Sequence, residues 1–261
     1  MSRPSGSGVV PTACAAFGAL VWADILAFRR TWRAVIWTLA VPVLIVVLGA
    51  SQVPHRLQDT ATPMFEIAAA AMSTGMFALG LFGHAQSLAS ARERGVLDLI
   101  RACPVSPALI LLSRFCVQFA AMILQFAVVM VVVAALYRVS AGAGDLARTL
   151  VAVALGGISA LALGQLVVAL TARAQSALAV ARFLLVAVFL LDGFFLNVHR
   201  WPAALQTLAR WSPVQLVQRT VAAGLGVGPW TGTDWAYLAG LLGWAGVMGI
   251  VGIVRFRWDE A

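Results

Sequence analysis

Long apolar blocks constrain this chain more than any other feature. Ala34 to Ala50, Phe65 to Leu88, Ala108 to Leu136, Leu146 to Leu170, Ala177 to Leu196 and Trp235 to Val254 run almost without charge. Each approaches or exceeds the ~20 residues of helix that cross ~30 Å of hydrocarbon. Hydrophobic residues make up 62% of the sequence and charged residues 11%, against about 45–50% and about 25% in soluble domains. No water-soluble core could hide that much apolar surface, so the bilayer is the solvent. Backbone groups in lipid must be satisfied within their own segment, and the blocks lack the two-residue alternation of a barrel, so helices are expected. The sequence therefore predicts an all-α polytopic membrane protein with six transmembrane helices.

Two regions divide the chain. Residues 1–33 begin with a Ser-, Gly- and Pro-rich tail to Pro11 and continue as a half-apolar helix. Phe17, Leu20, Val21, Ile25 and Phe28 share one face, with Arg29, Arg30 and Arg33 opposite, the pattern of an N-terminal interfacial helix. Asp24 intrudes on the apolar side. A cleaved signal peptide fits less well, because the arginines follow the apolar stretch and only Arg3 precedes it. Residues 34–261 form the six-helix transmembrane domain, with Pro42 interrupting the first span.

The net charge of +8 is carried wholly by arginine, since the chain has no lysine. Basic charge around spans sets orientation, so the reading is a membrane protein without nucleic acid as partner. Cytoplasmic termini place twelve arginines inside, Arg114 and Arg182 near that edge, and six outside. The expected location is the inner (plasma) membrane with both termini in the cytoplasm. Glu66, His84 and Asp192 lie near span ends and are expected to reach the interface. Cys14, Cys103 and Cys116 form no close pair and no metal-ligand spacing, so reduced, structural cysteines are expected.

The connection before the last span is unusual. From Trp201 to Leu225 it is moderately apolar, too short to cross twice, and broken at Pro202 and at Ser212–Pro213. It reads as an external re-entrant helical hairpin, with Trp201 and Trp211 anchoring its base at the headgroups.

Ala91 to Pro107, between the second and third spans, carries the densest pattern. Val96, Leu97, Leu99 and Ile100 lie on one side of a helix, Arg94, Asp98 and Arg101 on the other, and Pro104 ends it. Such a helix can dock a partner or lie on the membrane surface. In the third span Arg114, Gln118 and Gln125 share a face, which reads either as lining of a pathway or subunit interface or as hydrogen bonding between helices.

Glu93, Arg94, Gly95, Leu97, Leu99 and Pro104-Val105-Ser106 resemble the ERxRGTLExLxxxPVS signature of ABC-type-2 exporter permeases, with Val96 and Asp98 where Thr and Glu are common. Phe194, Phe195, Trp201-Pro202, Leu205, Leu208 and Ser212-Pro213 resemble a looser family pattern ahead of the last span. The resemblance implies that Arg92, Glu93, Arg94, Gly95, Val96, Leu97, Asp98, Leu99, Ile100 and Arg101 form a cytoplasmic coupling helix seated in an ATPase subunit. It implies two ATPase copies holding ATP and Mg, a second permease, identical or homologous, and external half-helices capping the path between permeases. The cargo it implies is a hydrophobic or amphipathic compound, an antibiotic or a lipid; haem is handled by related six-span permeases.

A P-loop needs its lysine, so any ATP-derived energy must come from another chain. No catalytic, cofactor or metal site is expected here. An intramembrane protease would draw on Ser159 and His199, but Ser159 lacks the glycine that follows such a nucleophile. An ion-coupled transporter would want an acidic residue at mid-span, and none is found.

Overall fold

A computed structural model describes residues 13–30, 32–54, 57, 60–93, 107–138, 142–171, 173–191 and 201–255. Among them every regular element is helical. The helices are α1 (Ala13–Arg30), α2 (Trp32–Ser51), α3 (Ala61–Ala78), a π-helical segment π1 (Leu79–Ala85), α4 (Gln86–Glu93), α5 (Pro107–Tyr137), α6 (Ala143–Leu170), α7 (Ala174–Leu191), α8 (Ala203–Arg210), α9 (Pro213–Gly224) and α10 (Gly232–Arg255). Five are long and apolar enough to cross a membrane: the continuous α3–π1–α4 helix, α5, α6, α7 and α10. The sixth expected span corresponds to α2, whose 20 residues amount to roughly 30 Å of helix. Pro42 lies inside α2 without ending it, buried over Gly75 of α3.

Helix α1 explains the misplaced Asp24. Its carboxylate Oδ2 accepts a 2.7 Å hydrogen bond from Ser113 Oγ on α5. The stripe of Phe17, Leu20, Val21 and Asp24 is half-buried, while Trp22, Ile25 and Leu26 stay exposed. Asp24 breaks the apolar pattern because that side meets a polar partner on the bundle.

Helix α6 is the hub, packing most extensively against α10 and also against π1 and α9. Small residues make this possible. Gly156, Ala160 and Gly164 recur every four positions, the spacing that lets helices approach closely in lipid. A side chain at Gly80 of π1 would run into the Ala160 carbonyl, and one at Gly164 into the Gly80 carbonyl. We expect Gly164→Leu to destabilise the fold by roughly 1–3 kcal/mol or more, since overpacked interiors must shift backbone. Gly246→Leu should change stability by about 0.5 kcal/mol or less, because that position on α10 opens onto free space. Thermal unfolding of both variants in detergent checks the contrast.

Candidate functional site: the polar seam and the re-entrant hairpin

The α3–π1–α4 helix and α5 run antiparallel, and between them lies the segment that carries the family-like signature. Residues Arg94 to Arg101 of that segment lie outside the described residues; Arg92 and Glu93 close α4, their side chains likewise outside.

The third-span polar residues all turn toward α3–π1–α4. Gln125 Nε2 donates to the Met72 carbonyl at 3.3 Å, across from Gly75, where any side chain would collide with the amide. Gln118 lies against Gly83 of π1, whose added Cβ would stand 2.8 Å from Gln118 Oε1. Arg114 Nη1 donates to the Ser87 carbonyl of α4 at 3.3 Å. Met72, Gly83 and Ser87 thus ascend one helix as Gln125, Gln118 and Arg114 descend the other. Buried Gln118 Oε1 and Gln125 Oε1 both lack a hydrogen-bond partner among the described residues. An unpaired buried amide oxygen is costly. Gln118→Leu is therefore expected to raise stability by about 1 kcal/mol, whereas in Gln125→Leu the loss of the Met72 bond, about 0.6 kcal/mol for a hydrogen bond between membrane helices, offsets much of the same gain. Unfolding of the two variants in mixed micelles checks that order.

The π segment overturns one expectation. His84 does not reach the interface: it is 4% exposed, with Nε2 3.3 Å from Gln165 Oε1 of α6. A π turn holds more residues than an α turn and so shifts the register of the helix beyond it. The expectation took the span to end near Leu88, whereas the helix continues to Glu93. Glu66 is exposed toward the other end of α3, and Asp192 lies outside the described residues. Ser159 is fully buried and donates to the Leu241 carbonyl at 3.0 Å, a bond that ties α6 to α10. His199 is outside the described residues.

The hairpin consists of α8 and α9, joined at Trp211–Ser212. Trp201 is half-buried, and its carbonyl accepts from Gln206 Nε2 at 2.8 Å. Pro202 caps α8. Ser212 Oγ caps α9 by accepting from Gln215 N at 3.3 Å, and Pro213 occupies the first turn, where its missing N–H is not needed. The far end closes at Gly226, φ 92°, with Val227 N donating to the Ala222 carbonyl and Gly226 N to the Ala223 carbonyl.

The hairpin enters the bundle. Val217 packs on Gly156, midway along α6, whereas Gly224 meets Thr149 near the start of α6. The Trp211 carbonyl accepts from Trp244 Nε1 at 2.9 Å, and the Trp211 ring sits edge-on to Tyr237 with centroids 6.0 Å apart. Trp244 lies halfway along α10, so Trp211 marks the deep turn of the hairpin and not a headgroup anchor at its base. Gln215 Nε2 donates to the Leu191 carbonyl at 2.8 Å and fixes the hairpin to the end of α7.

A helical bundle of membrane-length spans, with a short helical hairpin folded into one end, defines a polytopic membrane protein. The sequence profile of the ABC-2 type transporter family matches residues 15–225, and the chain belongs to that family. It is a membrane-spanning component of an ABC transporter. A comparison with curated proteins gave no match.

Proposed function

We propose that this chain is the permease half of an ATP-driven exporter, with two copies of a separate ATPase and a second permease as partners, residing in the plasma membrane with both termini cytoplasmic. Its cargo is hydrophobic or amphipathic. Supporting this reading is the position of the family-like segment Ala91 to Pro107, which joins α4 to α5. A displacement of that segment moves two helices tied to each other by Arg114–Ser87 and Gln125–Met72. One of them also packs closely on α6 through Gly80 and Gly164. Motion imposed by an ATPase would thus reach the centre of the bundle and, through α6, the hairpin.

The test is energisation of inverted vesicles carrying the chain and its ATPase, with an amphipathic fluorescent dye as probe. Uptake should require ATP, vanish with a hydrolysis-deficient ATPase, and persist when ionophores collapse ion gradients. Uptake that followed the gradients would assign the chain to ion-coupled transport.

A further inference from the structure

The two buried glutamines of the polar seam differ in one respect. Gln125 is held through its Nε2 by the Met72 carbonyl, whereas no hydrogen bond holds Gln118 among the described residues. Gln118 is 8% exposed, and what stands opposite its amide is Gly83 of π1, which has no side chain to offer. A buried acceptor left unmet disfavours the arrangement that leaves it so, and calls for an explanation. Arg114, one turn away on α5, is engaged with the Ser87 carbonyl. Among the seven residues of π1, Leu79 to Ala85, His84 alone carries a side chain that can donate. It directly follows Gly83, the two Cα atoms ~3.8 Å apart, and its Nε2 lies 3.3 Å from Gln165 Oε1 on α6. One donor thus stands between two amide oxygens, joined to one of them by a long bond.

We propose that His84 is a two-position switch residue, donating to Gln165 of α6 in the arrangement described and to Gln118 of α5 in the second state of the transport cycle. The proposal rests on the ATP-driven reading and names the contact by which that motion is registered inside the bundle. Only the eight residues of α4 separate π1 from the segment that would receive the ATPase. A turn imposed on α4 therefore arrives first at His84. Gly80 cannot follow it, because any side chain brought to its place meets the Ala160 carbonyl of α6. The turn is confined to the residues beyond Gly80, where this helix already departs from α geometry. Each position of His84 satisfies one amide oxygen and releases the other. The two states thus stay close in free energy, and a partner that binds one of them better selects it.

The experiment compares Gln118→Leu and Gln165→Met in the permease–ATPase complex reconstituted in vesicles, reading ATP-driven dye uptake and ATP hydrolysis without dye. Gln118→Leu removes the partner of the second state and relieves the unmet oxygen of the first. Uptake and hydrolysis should both fall about ten-fold, with the ATPase still bound. Gln165→Met removes the partner of the first state and should raise dye-independent hydrolysis about three-fold. In a His84→Leu background neither substitution should have a further effect, since the donor they share is gone. Thermal unfolding of the chain without its ATPase adds a double-mutant cycle, which should find His84 coupled to Gln165 and not to Gln118. The proposal is overturned if Gln118→Leu leaves uptake at the wild-type level, or if the two substitutions shift hydrolysis in the same direction, as a mere packing role would. It is also overturned if the cycle finds no coupling of His84 to Gln165, or an existing coupling to Gln118. Wild-type uptake that ignores ATP would remove the ATP-driven reading; opposite shifts of that uptake by the two variants would still sustain the switch, and like shifts would remove it too.

Discussion

Leu97→Asp is expected to abolish transport while leaving the chain inserted and folded. Under the proposed function Leu97 belongs to the apolar side of a coupling helix, with Val96, Leu99 and Ile100, and that side enters a groove of the ATPase. A carboxylate forced into a desolvated contact without a partner costs about 2–5 kcal/mol, which corresponds to roughly 30-fold to several thousand-fold in affinity. Reversing Glu93 and Arg94 together should act in the same direction with a smaller effect, since charges at the rim of an interface contribute mainly to steering and register. The measurement is retention of the ATPase on affinity-purified permease, alongside dye uptake. Full retention and full uptake in Leu97→Asp would show that the segment lies on the membrane surface and does not couple.

The second large effect concerns the hairpin. Cysteines are introduced singly at Arg200, Ser212 and Gly228 in a background in which Cys14, Cys103 and Cys116 are replaced; Cys116 is an exposed free thiol and would otherwise react. A membrane-impermeant maleimide should label Arg200→Cys and Gly228→Cys quickly and Ser212→Cys at least about ten-fold more slowly. Ser212 is 7% exposed and sits beside Trp211, whose carbonyl is bonded to Trp244 halfway along α10. Burial at that depth excludes a charged reagent, since polar and charged groups are disfavoured away from water. Equal rates at all three positions would mean an ordinary solvated loop.

Much of the fold is legible in the sequence because lipid leaves the backbone few choices. The apolar blocks had to be helices, and Ser212–Pro213 had to interrupt one, since proline disfavours helix in the residue before it. What was illegible depends on tertiary contacts. Asp24 contradicted the stripe of α1 only until Ser113 supplied its partner. His84 reads as interfacial because it lies near the expected end of a span, whereas the helix runs on to Glu93 and His84 is buried against Gln165 of α6. Residue preference puts Trp211 at the headgroups, yet it lies at the deep turn of the hairpin, its ring edge-on to Tyr237 and its carbonyl bonded to Trp244. The closeness of π1 and α6 is carried by glycines, which leave no hydrophobic signal. Of the candidate site, the common face of Arg114, Gln118 and Gln125 could be read from their spacing, but not which helix it meets.

Purification of the tagged chain from cells co-expressing its genomic neighbours, with every stoichiometric partner identified, tests the central claim most directly. The account predicts a P-loop ATPase recovered in equimolar amount and released by Leu97→Asp. A chain that purifies without any ATPase yet moves dye down an ion gradient would contradict it.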